Sequence, residues 1–340
     1  MKKILSLIAI SLTIAKSDAA VLLVNNATAN PGQYLQIDAA MAAASPGDTI
    51  YVNGSSVIYS SCIVTKSITL IGAGTFAQKQ NQFPSKIQYV DINSNLSNIV
   101  IEGLEITGSI RFVSESNIQN VFIRYNYFST GDISFNNLDN SSNFVVSSNI
   151  FNSNSFAVDF NGGINQSNFT IENNIIRGYI RSMNVNNATI NNNVFYNYAT
   201  PFITNLNSAL IINNIFYNSN PLTNTTNCTY LNNISYGTST TYGSMGGNNI
   251  DNTNPQFITA VSPTGGYLPT YNFGVQTSSP AHNYGNDGKD LGIYGGSANV
   301  TVTGEVYNVP VIRQMILQNT NVPQNGNVNV KVRSTKSRTN

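Results

Sequence analysis

A nine-residue repeat constrains the fold of this chain more than any other feature. Seven copies lie between Asn98 and Ser235, and their first residues are 22, 23, 25, 19, 21 and 19 positions apart. In order, the copies are NIVIEGLEI from Asn98, NVFIRYNYF from Asn120, NFVVSSNIF from Asn143, NFTIENNII from Asn168, NATINNNVF from Asn187, SALIINNIF from Ser208 and NCTYLNNIS from Asn227. A period near twenty residues is shorter than that of the common helical repeats and is typical of a solenoid of stacked coils.

Apolar residues alternate with other residues within each copy. With the first residue counted as position zero, positions one and three are apolar, as in Ile99 and Ile101 of the first copy. This period of two predicts a strand with one buried face. Position six is asparagine in the last six copies. We expect it to be a left-handed corner residue whose amide bonds to the coils above and below, forming an asparagine ladder.

Each coil has two further predicted strands. Apolar residues resume directly after the corner, as in Ile150 and Phe151, so the corner joins two strands. Another buried position recurs upstream of each copy, at Ile87, Ile110, Ile133, Val158, Ile180, Phe202 and Leu222. Three strands per coil, stacked in parallel, predict an all-β solenoid.

Composition agrees with this fold and argues against a nucleic-acid partner and against an acidic interaction tail. Roughly one residue in six is Asn, which disfavours helices and favours turns. Only 9% of the residues are charged, and the net charge is +1. So few charges and so small a net charge predict neither a nucleic-acid interface nor an acidic interaction tail.

Residues 1–20 have the pattern of a secretory signal peptide. Lys2 and Lys3 precede an apolar run from Ile4 to Ala15. The small residues near the expected cleavage point are Ser17, Ala19 and Ala20. We therefore expect a secreted protein, whether extracellular, periplasmic or at the cell surface. No later stretch of about 18 apolar residues could span a bilayer, so no membrane span is expected.

The two cysteines lie on opposite sides of the repeat. Many coils, each about 4.8 Å high, would separate Cys62 from Cys228. A disulfide allows a Cα span of only about 7 Å. We therefore expect two buried free thiols.

Segments on both sides of the repeat complete a known pattern. GQYLQIDAAMAAASPGDTIYV, from Gly32, predicts a short amphipathic helix, a turn and a strand, and KSITLIGAGTF from Lys66 follows it. NPQF from Asn254, SPAHNYG from Ser279 and DLGIYGG from Asp290 follow the last copy. With these segments, the chain resembles the right-handed parallel β-helix superfamily of pectate lyases and related secreted polysaccharide-active proteins.

The resemblance implies a right-handed parallel β-helix over residues 21–297, with three strands per coil and an N-terminal capping helix. Residues 298–340 differ in character and are expected to add a small β extension. Its basic tail, expected to be solvated, holds Lys331, Arg333, Lys336 and Arg338.

Functional residues are expected at the outward positions of the upstream strand, because stacked coils align their side chains in columns about 4.8 Å apart. The column before the buried residues holds Lys86, Ser109, Asp132, Ala157 and Tyr179. The column after them holds Gln88, Arg111, Ser134, Asp159 and Arg181. The resembling lyases have their active cleft on this strand, so the columns predict a polysaccharide site.

Residue chemistry assigns roles within these columns. Asp132 and Asp159, roughly 8 Å apart by strand geometry, fit an inverting acid and base pair, which needs about 6.5 to 9.5 Å. In a lyase, Arg181 or Lys86 would be the base. Arg111 and Arg181 could hold uronate carboxylates or sulfates bidentately, and Tyr179 could stack on a sugar ring. Asp159 and Arg181 could instead form only a cross-strand ion pair. The predicted catalytic residues are Asp132, Asp159 and Arg181, and the predicted substrate-binding residues are Lys86, Arg111, Ser134 and Tyr179.

The motifs of individual activities in the family are not matched. Pectin hydrolases of this fold use Gly-His-Gly and Arg-x-Lys segments, which do not occur here; the only histidine, His282, lies in a closing turn. Asp91, Asp132 and Asp159 are too few acids to predict a calcium site, so no metal or other cofactor is predicted, although calcium is compatible with the family.

Two functional hypotheses follow. The protein binds an extended, acidic polysaccharide and, as a lyase or glycoside hydrolase, cleaves it. Alternatively, it is a non-catalytic adhesin-like or cell-envelope structural β-helix protein. A further column, at position four of the repeat, is predicted to serve solubility and strand register; it holds Glu102, Arg124, Ser147, Glu172 and Asn191.

Overall fold

The computed structural model describes residues 19–27, 31–74, 83–112, 117–136, 138–160, 164–181, 184–196, 202–218, 222–223, 225–237, 247–262, 264–296, 311–317 and 330–335. In chain order, the elements are β1 Val21–Val24, α1 Ile37–Ala43, β2 Thr49–Val52, β3 Cys62–Val64, β4 Thr69–Gly72, β5 Lys86–Ile87, β6 Val90–Ile92, β7 Ser97–Glu102, β8 Glu105–Ile106, β9 Ile110–Phe112, β10 Gln119–Arg124, β11 Tyr127–Phe128, β12 Ile133–Ser134, β13 Ser142–Ser147, β14 Ile150–Phe151, β15 Phe156–Asp159, β16 Ser167–Glu172, β17 Ile175–Ile176, β18 Tyr179–Arg181, β19 Asn184–Asn191, β20 Val194–Tyr196, β21 Ile203–Thr204, β22 Asn207–Ile212, β23 Ile215–Tyr217, β24 Leu222–Thr223, β25 Thr229–Leu231, β26 Ile234–Tyr236, β27 Val311–Leu317 and β28 Val330–Thr335.

Three parallel sheets form the body of the molecule. Sheet A has the order β1-β2-β4-β7-β10-β13-β16-β19-β22-β25, sheet B the order β5-β8-β11-β14-β17-β20-β23-β26, and sheet C the order β3-β6-β9-β12-β15-β18-β21-β24. Each complete coil passes through sheets C, A and B in turn, and each strand pairs with the equivalent strands of neighbouring coils. The fold is therefore a right-handed parallel β-helix with three strands per coil, as predicted.

The inward side chains stack coil upon coil. Positions one and three of the repeat are buried, as in Ile99 and Ile101. Phe112, Phe135 and Phe160 stack with ring centroids 5.0 and 4.7 Å apart. Full burial of one such side chain contributes about 1.5–3 kcal/mol. Because these contacts join adjacent coils, each coil depends on its neighbours for stability.

The position-six asparagines form the predicted ladder. Asn149 donates from Nδ2 to Oδ1 of Asn174 at 3.1 Å and to the Ile123 carbonyl at 2.8 Å. Its backbone N–H donates to the same Oδ1 at 2.9 Å. Equivalent contacts run from Asn126 to Asn249. The amides thus satisfy buried backbone groups at every corner.

The left-handed corner residue lies one position earlier than predicted. Positive φ occurs at position five, from Gly103 (71°) in the first copy to Asn232 (51°) in the last, and not at the ladder asparagine. A single left-handed residue turns the chain, and the next residue then directs its amide into the ladder. Position zero is also left-handed. Its side chains form an exposed second ladder, in which Asn143 Nδ2 donates to Asn120 Oδ1 at 3.0 Å.

The segment after the coils, residues 254–296 without residue 263, lies across the outer face of sheet B; we call it the strap. The outward apolar residues of sheet B under it are Ile150, Ile175, Val194, Tyr196, Ile215 and Ile234. Phe273 and Ile293 of the strap are buried against them. Asn173 Nδ2 also donates to the carbonyls of Ile293 and Gly295, both at 2.9 Å. The outer face of sheet B is therefore largely covered.

The ends of the coil stack also agree with the sequence. Helix α1 buries Ile37, Ala40 and Met41 against the first coils, which confirms the capping helix. Both cysteines are free, as predicted, and Cys62 is buried, but Cys228 in the last copy is only half-buried instead of buried. Strands β27 and β28 pair antiparallel within the C-terminal extension. Lys336, Arg338 and most of the predicted signal peptide lie outside the described residues. No helix in the described part of the chain is long and apolar enough to cross a membrane.

Candidate functional site

The outer face of sheet C, which we call the sheet C face, carries two columns of polar and aromatic side chains. Strand pairing places one column at Asp91, Arg111, Ser134, Asp159 and Arg181. The column beside it, at the preceding outward position, holds Tyr89, Ser109, Asp132, Phe156 and Tyr179. This is the strand on which the sequence predicts a site.

An Asp–Arg–aromatic unit lies near the N-terminal end of the face. Arg111 donates from Nε to Oδ1 of Asp91 at 2.6 Å and from Nη2 to Oδ2 at 2.8 Å. Its guanidinium lies 4.1 Å from the centroid of the Tyr89 ring. The fork geometry and the cation–π contact fix the arginine in one orientation. The Nη1 group remains outside the ion pair, and the side chain is 42% exposed.

The same unit recurs three coils further on. Arg181 donates from Nε to Oδ1 of Asp159 at 3.0 Å and from Nη2 to Oδ2 at 2.7 Å. Its guanidinium lies 3.9 Å from the Phe156 ring centroid, and Phe156 meets Tyr179 edge-on at 4.9 Å. Three coil heights separate the two arginines by about 14 Å. The face thus presents two matching units in line along the solenoid axis.

Asp132 and Ser134 lie between the two units, and both are half-buried. Burial raises the pKa of Asp132, the hydrogen bond with Ser109 opposes that rise, and the charge of Asp159 adds to it. A carboxyl group with a raised pKa is a candidate proton donor.

The second unit brings two predicted catalytic residues into contact with each other. Both carboxylate oxygens of Asp159 accept hydrogen bonds from Arg181. The same hydrogen bonds raise the pKa of Arg181, with a further contribution from the charge of Asp159. These contacts match the predicted ion pair. They favour a binding or positioning role for both residues over proton transfer.

The predicted placement of Lys86 and Gln88 on this face is wrong. Lys86 lies in β5 of sheet B, where its Nζ is 2.8 Å from Oε1 of Glu105. The prediction extends the 23-residue spacing of later coils, whereas Val90 pairs with Ile110 only 20 residues away. The alternation of Tyr89 to Ile92, with buried Val90 and Ile92, is the sequence signal for the correct register.

Two further register errors each involve one residue. A β-bulge between Phe156 and Val158 makes Phe156, not Ala157, the partner of Tyr179. In the next coil, Ile203 rather than Phe202 pairs with Ile180. A bulge inserts an unpaired residue, so a period of two cannot be followed through it. Both aromatic platforms, Tyr89 and Phe156, are therefore absent from the predicted site.

The other polar groups singled out in the sequence have structural partners. Arg124 Nε is 2.6 Å from Oε2 of Glu102 on sheet A, as predicted for the position-four column. His282 Nδ1 lies 2.7 Å from Oδ1 of Asp290 within the strap. Among the residues that the structure describes, no three His, Cys, Asp or Glu side chains converge where they could hold a metal ion.

Comparison of the sequence with protein-family models gives no match. Comparison with curated proteins also gives none.

Proposed function

We propose that the protein is exported and binds an extended polysaccharide along the sheet C face. The observation that carries this proposal is the repetition of the Asp–Arg–aromatic unit, in line and three coils apart. A linear polymer contacts such a surface at repeated intervals. Of the outer faces, that of sheet B is largely covered by the strap. We also propose that the protein is a member of the pectate lyase-like superfamily.

The chemistry of the two units suits sugar hydroxyls. Each arginine charge is matched by its aspartate, so the Nη1 groups, which lie outside the ion pairs, would act as oriented hydrogen-bond donors more than as free cations. Tyr179 adds a half-buried ring next to Phe156 of the second unit. The Nη1 groups could also bind uronate carboxylates, so the binding test described next includes acidic glycans.

The test is a binding panel of neutral polysaccharides and polyuronides, measured by calorimetry. Arg111→Gln and Arg181→Gln should each weaken binding by about tenfold or more, because a hydrogen bond to a charged group is worth about 1.5–3 kcal/mol. Arg124→Gln is the matched control, since it breaks a similar cross-coil ion pair on sheet A. Binding that falls equally in all three variants contradicts the proposal. Absence of binding to every glycan would favour the structural, adhesin-like alternative.

Cleavage is a second candidate function, favoured by the raised pKa of Asp132. In this role, Asp132 would protonate the leaving oxygen of a glycosidic bond. Hydrolysis would release reducing ends, and a lyase would instead produce unsaturated ends that absorb ultraviolet light. Asp132→Asn should abolish either signal while leaving binding within about twofold. Turnover that survives in Asp132→Asn removes this residue from the mechanism.

A further inference from the structure

The carboxylate of Asp48 holds the first described residues of the chain. Its Oδ1 accepts a hydrogen bond from the backbone N–H of Ala20 at 2.8 Å, and its Oδ2 accepts one from the N–H of Ser45 at 2.7 Å. The N–H of Thr49 donates to the Ala20 carbonyl at 2.8 Å. Ala20 is therefore fixed on both sides, directly before β1, although it is exposed to solvent.

Asp48 lacks a counter-ion within the described part of the chain. It is 6% exposed, and no described cation lies within ion-pair distance of it. The positive charge of Lys66 acts on Asp48 from a distance. The Lys66 Nζ itself donates to the carbonyls of Ala42 and Ala44 at the end of α1. The N–H groups of Ser45 and Ala20, and then the Lys66 charge, lower the pKa of Asp48 against the opposing effect of burial. An ionised carboxylate is thus aimed at the Ala20 nitrogen.

The residues before Ala20 favour one cleavage bond. Export signals end in small residues at the first and third positions before the cut. For the Ala19–Ala20 bond, these residues are Ala19 and Ser17. For the next bond, the third position would be the charged Asp18.

We infer that a signal peptidase cuts the chain between Ala19 and Ala20, and that the new α-ammonium group of Ala20 forms an ion pair with Asp48. Water adds across the amide, leaving a carboxylate on Ala19 and an amine on Ala20 that takes up a proton. The hydrogen bond from the Ala20 nitrogen then joins two charged partners and becomes stronger. This inference rests on the proposed export, but not on polysaccharide binding, and it places the boundary one residue before Val21.

The first experiment determines the N-terminus of the exported protein by intact mass and terminal sequencing. We expect Ala20 as the first residue. Any other first residue overturns the cleavage site. Retention of the uncleaved chain inside the cell overturns the cleavage together with the proposed export, whereas the glycan panel can still succeed on purified protein.

The second experiment uses protein that begins at Ala20, released from a fusion partner that leaves no added residue. We expect the α-amino pKa to lie above its ordinary value of about 7.7–8.0, because a carboxylate at this distance favours the charged amine. Asp48→Asn should return it to that range. Asp38→Asn is the matched control, since Asp38 accepts a hydrogen bond from the Ile63 N–H instead.

An acetylated form of the protein that begins at Ala20 keeps the test valid if Asp48→Asn does not fold. Acetylation of the Ala20 amine removes the charge and leaves Asp48 intact. The ion pair stabilises the fold only while the amine is protonated, so the acetylated protein should melt below the free-amine protein at pH 7. The difference should disappear as the pH rises through the raised α-amino pKa. Equal melting temperatures at pH 7, or an unperturbed α-amino pKa, overturn the ion pair.

Discussion

Asparagine has two separate roles at adjacent positions of the corner in each of the last four copies. At position six, it joins coils through the buried ladder. At position five, it tolerates the left-handed backbone, and in the later coils its side chain also binds the strap. Asn213 Nδ2 donates to Asn286 Oδ1 at 2.7 Å, and Asn232 Nδ2 donates to the Tyr284 carbonyl at 2.9 Å. A single residue type thus turns the chain, connects coils and anchors a distant segment.

Loss of one ladder amide should destabilise the fold strongly. Asn174→Ala removes the acceptor of the Asn149 N–H and the donor to the Val146 carbonyl, all at a fully buried site. Each buried group left without a partner costs about 1–3 kcal/mol, so we expect a loss of about 2–5 kcal/mol in denaturant unfolding. Asn168→Gly, in the exposed ladder, keeps the left-handed backbone and should cost about 1 kcal/mol or less. Equal losses would contradict a special role for the buried ladder.

The carboxyl group of Asp132 should reduce stability at neutral pH. Its folded-state pKa is raised, so the folded state favours the protonated form. Stability therefore falls as the pH rises from about 3.9, the unfolded value, through the raised folded-state pKa. Asp132→Asn, whose amide oxygen can still accept from Ser109, should melt above the wild type at pH 7, by a margin that shrinks toward pH 4. Asp91→Asn should instead lower the melting temperature at pH 7, because it breaks the bidentate pair with Arg111.

Strands with a regular period could be predicted from the sequence, and irregular elements could not. The alternation in the seven copies and the corner asparagines determine sheets A and B, because a one-residue slip would expose the buried face. On the sheet C face, the sequence correctly placed Ser109, Arg111, Asp132, Ser134, Asp159, Tyr179 and Arg181. The bulge at Ala157 and the short coil before Ile110 caused the misplacement of Lys86, Gln88 and Ala157 and hid the two aromatic platforms. The strap has no period, and its docking depends on distant side chains.

The strap should be separable from the coils by a single buried substitution. Phe273 is 1% exposed and contacts Tyr196 at a centroid distance of 5.2 Å. Truncation of a buried phenylalanine costs about 3–5 kcal/mol. In Phe273→Ala, we expect faster hydrogen exchange and proteolysis in residues 254–296, with the ladder corners still protected. Leu268→Ala, at a site 50% exposed, is the control and should change neither. Simultaneous loss of protection in the coils would show that strap and coils unfold as one unit.

Charge balance at the scale of the whole molecule should make binding nearly independent of salt. The net charge is +1, and the two arginines of the sheet C face are each paired with a carboxylate. Long-range attraction of a polyanion is therefore weak, and little net charge is left for salt to screen. We expect glycan affinity to change less than twofold between about 0.05 and 0.5 M salt. A steep fall in affinity over that range would indicate an acidic glycan held by arginine charge.

The strap also limits how the length of the chain can change during evolution. It contacts six consecutive strands of sheet B, from Tyr127 in β11 to Ile234 in β26. Gain or loss of one coil within that span would displace the contacts beyond it by one coil height, about 4.8 Å. Strands that precede β11 in the chain are free of this constraint, and they carry the first Asp–Arg–aromatic unit. Homologues that differ in length should therefore gain or lose coils there, and with them the reach of the glycan surface.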